Sequence, residues 1–150
     1  DSDPYVKNDF CDTNPGRSFE KAIYEVMQGA VDQVMIGVKL DDVVDIDFIT
    51  RSGNEVALLE CKLGKHRLKD GIDQLNTAGG RDYLGTYTHK VFVSNVPWNK
   101  KTNLKALAAA RNIKVIELTD YVEGDEHLSP GNAALLVEKL EKLLGKKHSY

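Results

Sequence analysis

The sequence predicts one α/β domain, a mixed central β-sheet flanked by helices, in the order α-βββ-α-β-α-β-α. Three observations carry this reading. Apolar residues recur at helical spacing near both ends of the chain. Three β-rich segments follow one another across short polar turns. Strand and helix then alternate, which favours parallel pairing late in the sheet. At 150 residues and 41% hydrophobic, the chain can bury one sizeable core without disulfides or a structural metal.

Residues 1–16 are polar, carry Pro4, Pro15 and Gly16 and show no period, so they read as a loose leader; residues 17–150 form the single domain. From Arg17 to Met27, Phe19, Ala22, Ile23, Val26 and Met27 fall at i, i+3, i+4, i+7 positions, with Gly29 as a stop. Val34 to Leu40 and Val43 to Thr50 are strands separated by Asp41-Asp42, and Ser52-Gly53-Asn54 turns the chain into a third, Glu55 to Leu63. Arg67 to Ala78 sets Leu68, Ile72 and Leu75 on one helical face and stops at Gly79-Gly80. Lys90 to Asn95 is a strand, Thr102 to Arg111 an Ala-rich helix, and Ile113 to Leu118 a strand. Asn132 to Leu144 closes the chain as an amphipathic helix carrying Leu135, Leu136, Leu140 and Leu144.

No apolar run approaches the roughly 20 residues that span a bilayer, and no segment has signal-peptide architecture, so a cytoplasmic protein without membrane contact is expected. Cys11 and Cys61 have no CxxC or Cys/His neighbours and read as free thiols. The chain begins Asp-Ser-Asp rather than with Met, as expected of a fragment excised from a larger protein or of a processed chain. A net charge of −3 argues against coating nucleic acid by bulk electrostatics. Lys62, Lys65, Arg67, Lys69 and Arg81 nevertheless outnumber Asp70 and Asp73 locally; the bland reading of such a run is a solvated face.

The residues that carry chemistry lie in two neighbouring strands. Asp47 sits in Val43-Val44-Asp45-Ile46-Asp47-Phe48-Ile49, and a hairpin then leads to Leu58-Leu59-Glu60-Cys61-Lys62. Strand side chains alternate faces, so Glu60 and Lys62 share one side while Leu59 and Cys61 share the other. A Glu and Lys at i, i+2 are usually a salt bridge on a solvated face. Facing acids on paired strands repel by about 4 kcal/mol at 4 Å and an effective dielectric of 20, unless a cation lies between them. That favours a site for a hard cation such as Mg²⁺, of the kind that activates water for phosphodiester cleavage. Asp45 has the strand parity of Asp47, but Asp47 is nearer the hairpin and flanked by apolar residues on both sides.

Glu20 on the first helix, Asp47, and Glu60-Cys61-Lys62 together resemble the PD-(D/E)xK nuclease superfamily, whose α-β-β-β-α-β core matches the element order from Arg17 to Asn95. The resemblance implies a restriction-endonuclease-like core and a metal-dependent endonuclease acting on DNA or RNA with low sequence specificity. It implies that Asp47, Glu60, the Cys61 backbone carbonyl and Glu20 hold Mg²⁺ or Mn²⁺, and that Lys62 orients the attacking water and offsets charge on the phosphate. The bland reading of Glu20 is an exposed helical acid. Ile46 stands where the motif has Pro, which weakens the motif match and leaves the metal chemistry intact.

Glu60-Cys61-Lys62 with the later Gly79-Gly80 is more narrowly similar to the nuclease domains that follow CARF sensor domains in CRISPR ancillary nucleases. This implies antiviral defence, a homodimer, and an N-terminal sensor domain outside this chain. Lys65, Arg67, Lys69 and Gln74 are candidates to contact substrate, although position 78 is Ala where branches that use such a Gln carry Tyr. His66 lacks an acid partner and reads as a surface residue; Trp98 could stack on a base but more often such a residue caps the core. Gly79-Gly80 lacks P-loop spacing and is explained by helix termination. The alternative reading is a nucleic-acid-binding or assembly module that keeps this fold and cuts nothing.

Overall fold

The computed structural model describes residues 15–40, 44–65, 67–79, 88–98 and 102–148. The elements are α1 (Pro15–Ala30), β1 (Gln33–Leu40), β2 (Val44–Ser52), β3 (Glu55–Lys62), α2 (Leu68–Gly79), β4 (His89–Ser94), α3 (Thr102–Ala110), β5 (Ile113–Glu117) and α4 (Pro130–Leu144). Strand order is β1-β2-β3-β4-β5. The first three strands form an antiparallel meander, and β4 and β5 add in parallel. The expected α/β class, mixed sheet and element order are observed.

Boundaries differ in ways local physics explains. Residues 1–14 of the expected leader lie outside the described residues, as do Asp41-Asp42, His66 and Gly80, while Pro15 and Gly16 belong to the first turn of α1. Pro lacks only an N–H that no helical start can pair, so it begins the helix rather than preceding it. Gly29 does not stop α1, which runs on to Ala30. At α4, Ser129 accepts a hydrogen bond from the Asn132 backbone N–H at 3.2 Å with Pro130 behind it, so the helix starts two residues earlier than the apolar stripe suggests.

The centre of the sheet is buried on both faces, while edge strand β1 leaves Met35 exposed. Ala57, Leu59 and Cys61 pack with Phe19, Ile23, Met27, Leu136 and Leu140 of α1 and α4. Leu58 packs with Leu68, Ile72, Leu75 and Phe92 on the α2 and α3 side. Side chains such as Phe19 and Ile23, at most 1% exposed, each contribute roughly 1.5–3 kcal/mol by burial. Trp98 is fully buried and meets Phe92 edge-on at 5.3 Å, so it caps the core and is not available to stack on a base. No helix among the described residues is long and apolar enough to cross a membrane.

Candidate active site

The site forms where two strands part. The β2–β3 ladder runs from Ser52–Glu55 to Phe48–Leu59 and goes no further, while β2 continues alongside β1 to Val44 and β3 continues alongside β4 to Lys62. Asp47 and Glu60 would form the next pair. Their side chains replace the missing ladder: the Asp47 backbone N–H donates to Glu60 Oε1 at 3.0 Å, and the Cys61 backbone N–H donates to Asp47 Oδ2 at 2.8 Å. Each acid thereby satisfies an amide that the fork would leave unpaired.

Strand alternation breaks at this point. Ile46 packs in the α2/α3 core and Phe48, two residues on, in the α1/α4 core. Opposite Asp47, the β1–β2 register skips Gly37, whose φ of 58° lies in the left-handed region open to glycine. Asp47 therefore sits in the plane of the fork rather than squarely on either face. The Asp45 side chain lies outside those described.

Glu60 lies in register with Phe92 on the α2 side of the sheet and is 1% exposed, so the reading of Glu60 and Lys62 as a solvated salt bridge does not hold. The ion pair itself exists, with Lys62 Nζ 3.3 Å from Glu60 Oε2. Helix α2 runs close beside the lysine stem at a glycine: a Cβ added at Gly71 would lie 3.3 Å from Lys62 Cγ. From the other face α1 brings Glu20, which hydrogen-bonds Asp47. Glu20 is half-buried here rather than an exposed helical acid.

Burial pushes the Glu20 carboxyl up to about 8, helped by the charge of Asp47, its hydrogen bond and the charge of Glu60, and opposed by Arg17. Burial likewise pushes Glu60 up to about 7, helped by Asp47 and opposed by Lys62. The Cys61 thiol is driven well above its ordinary value by burial and then by the same three acids, which makes it a neutral core group rather than a nucleophile.

Among the described residues no three acid, His or Cys side chains are already gathered as a ligand cage. The donor chemistry still fits a hard divalent cation: the side-chain groups are carboxylate oxygens, and burial followed by mutual repulsion raises Glu20 and Glu60, a penalty that a bound cation would relieve. The N–H and C=O of a strand residue point to the same edge, so the Cys61 carbonyl faces the fork with the N–H that bonds Asp47.

A cleft of about 420 Å³ opens above the fork, lined among others by Arg17, Glu20, Asp47, Cys61, Lys62, Arg67 and Glu123. Of the residues expected to contact substrate, Arg67 lines it. Lys65 and Lys69 are exposed and are not among its described lining; Lys69 pairs with Asp73 at 3.4 Å, one helical turn on. Gln74 is half-buried on α2 and is not in the lining either, and its Oε1 finds no hydrogen-bond partner among the described residues.

Sequence reading missed Arg17 and Glu123. Arg17 could have been found, since it stands three residues before Glu20 on one helix. Glu123 arrives from the loop between β5 and α4, where no periodicity marks it.

No protein-family model matches the chain, and no curated protein matches it in sequence. Solved structures do. The chain aligns over 85% of its length with Can2 from Sulfobacillus thermosulfidooxidans, determined in complex with cyclic tetra-adenylate, at a TM-score of 0.60 and 16% identity. AF1548, a protein of unknown function, aligns over 82% at a TM-score of 0.49 and 15% identity, and VC1899 from Vibrio cholerae over 85% at 0.46 and 20%. The chain spans 36% of the Can2 chain, 65% of AF1548 and 31% of VC1899. At such identities the likeness to Can2 is one of fold, and with the mixed sheet described above it is consistent with a restriction-endonuclease-like core.

Proposed function

We propose that this chain is a metal-dependent nuclease domain of the PD-(D/E)xK type that hydrolyses phosphodiester bonds in DNA or RNA with low sequence specificity. The observation that carries the reading is the fork itself: across the parting strands the Glu60 carboxylate accepts the Asp47 N–H and the Asp47 carboxylate accepts the Cys61 N–H, with Lys62 on one acid and Glu20 on the other. Capping two strand amides does not by itself call for three mutually repelling carboxylates, one buried and two half-buried, at one point of the sheet.

Mg²⁺ or Mn²⁺ held by Asp47, Glu60, Glu20 and the Cys61 carbonyl would supply a water acidic enough to attack near neutral pH and would offset charge on the phosphate. Lys62, its stem fixed by α2, would orient that water and stabilise charge growing on the phosphate oxygens. Asp47 and Glu60 keep each other in place through the backbone of the opposite strand, so the acids stay preorganised. The closer resemblance and the likeness to Can2 support a further reading. This chain would be the cutting part of a longer protein acting in antiviral defence, paired as a homodimer and controlled by a nucleotide-sensing domain elsewhere in that protein.

Cleavage of single-stranded DNA, duplex DNA and RNA in Mg²⁺, Mn²⁺ and EDTA, comparing the native chain with Lys62→Ala, tests the activity. Metal-dependent cutting lost in the variant is expected. Binding without cutting in any metal would favour the inactive binding module.

A further inference from the structure

The charges around the cleft divide evenly: among the described lining, Arg17, Lys62 and Arg67 face Glu20, Asp47 and Glu123. In a chain of net charge −3, bulk attraction cannot hold a polyanion here, so directed bonds must. The two arginines are placed to make them. Arg17 stands one helical turn before Glu20, the spacing that sets two side chains on one helix face, and both line the cleft. The arginine is half-buried there. Arg67 enters the same cleft from the segment leading into α2, directly after the strand that carries Glu60 and Lys62. A guanidinium offers a planar fork of donors that matches phosphate bidentately.

We propose that Arg17 and Arg67 form a two-armed phosphate clamp over the fork, which seats a phosphodiester strand against Lys62. The ligand class rests on the nuclease reading. Arg17 is the arm on the Glu20 helix and Arg67 the arm on the motif strand's exit, so the clamp holds phosphate from two separate elements that line one cleft. Both are positioning residues: they hold the strand and take no proton.

The test is the salt dependence of binding of a fluorescein-labelled single-stranded 20-mer, DNA and RNA, read by anisotropy in Ca²⁺, beside cleavage in Mg²⁺ and Mn²⁺. Each phosphate contact contributes about 0.7 to the slope of log K against log salt on single strands. Arg17→Met and Arg67→Met are each expected to lose about that much, and the double variant about twice as much, while Lys105→Met on α3 leaves the slope unchanged. Arg17→Lys is expected to keep the slope and bind several-fold more weakly, because the charge stays and the fork of donors goes.

An unchanged slope in Arg17→Met overturns its role, and absence of binding in Ca²⁺ and in Mg²⁺ overturns the clamp altogether. A reduced slope in a protein that cuts nothing upholds the clamp and sinks the nuclease reading. Cutting with unchanged slopes does the reverse.

Discussion

Asp47 gives its backbone N–H to the Glu60 carboxylate at 3.0 Å while its own carboxylate takes the Cys61 N–H at 2.8 Å, so neither acid can be removed without unpairing an amide of the opposite strand. The two acids thus have a structural and a chemical duty that substitution can separate. Asp47→Ala leaves the Cys61 N–H without its acceptor and should destabilise the chain by about 1–3 kcal/mol. Asp47→Asn keeps an acceptor oxygen and removes a charge that repels Glu20 and Glu60. It should fold at least as well as the native chain at pH 8 and lose about 100-fold or more in cleavage rate. Urea melts and single-turnover rates on both variants check this; equal activity in Asp47→Asn would remove Asp47 from the chemistry.

Glu20 sets the pH dependence of stability. Its folded carboxyl sits at about 8 against an ordinary 4.5, so the folded chain binds more protons than the unfolded one across that window, and stability falls as pH rises through it. Glu60, at about 7, acts in the same direction. Glu20→Gln cannot ionise and escapes the penalty. Its thermal midpoint in EDTA should exceed the native one at pH 8 and match it at pH 4.5. At this chain length each kcal/mol moves the midpoint by about 2–4 °C. Saturating Mg²⁺ should raise the native midpoint at pH 8 and leave Glu20→Gln less affected. A native chain equally stable at both pH values in EDTA would contradict the burial of these acids.

The order of elements was legible because it rests on local periods: Phe19, Ile23 and Met27 along α1 and the alternation of Leu58 through Lys62 along β3 both read directly from spacing. The fork was not legible. It depends on where the β2–β3 ladder stops, a property of how β1 and β4 draw the two strands apart, and neither Asp47 nor Glu60 announces it locally. Within the basic run after the motif, Lys69 answers Asp73 one turn on whereas Arg67, two residues earlier, lines the cleft, and no local pattern separates the two. Arg17 was within reach of the sequence, since it stands three residues before Glu20 on one helix, whereas Glu123 comes from a loop that no periodicity marks.

Gly71 controls how closely α2 approaches Lys62. Alanine is the better helix former by about 1 kcal/mol, so Gly71→Ala should stabilise an isolated helix. Here the added Cβ would lie 2.5 Å from Phe92 Cε2 and 2.9 Å from Cζ. The Phe92 ring is fully buried and held edge-on by Trp98, so it cannot swing away. Overpacking of about 1–3 kcal/mol should outweigh the helix gain. Cleavage should fall as well, because the helix that is pushed out also fixes the Lys62 stem. Phe92→Leu in the same chain should recover part of both losses, measured by urea melts and by kcat. A simple gain of stability in Gly71→Ala would show that α2 has room to move.

Far from the fork, a second carboxylate titrates with the opposite sign. Asp32, with a side chain 6% exposed, accepts from Gly53 N–H at 2.9 Å and from His148 N–H at 2.8 Å, with His148 Nδ1 at 3.2 Å, and so ties the segment after α4 to the β2–β3 hairpin. The Gly53 amide first, and then the His148 amide, hold its carboxyl below the ordinary range. Its contribution is therefore complete above the ordinary carboxylate pKa of about 4 and is lost as pH falls through the lower folded value. Asp32→Ala should free residues 145–148 at neutral pH, seen as faster amide exchange there and at Gly53 after correction for intrinsic rates. The native chain should show the same release only in acid. The hairpin latch thus loosens at low pH, where Glu20 and Glu60 carry no ionisation penalty, and latch and fork should respond to a pH scan in opposite directions. A tail whose exchange is indifferent to Asp32→Ala would show that the hairpin holds without it.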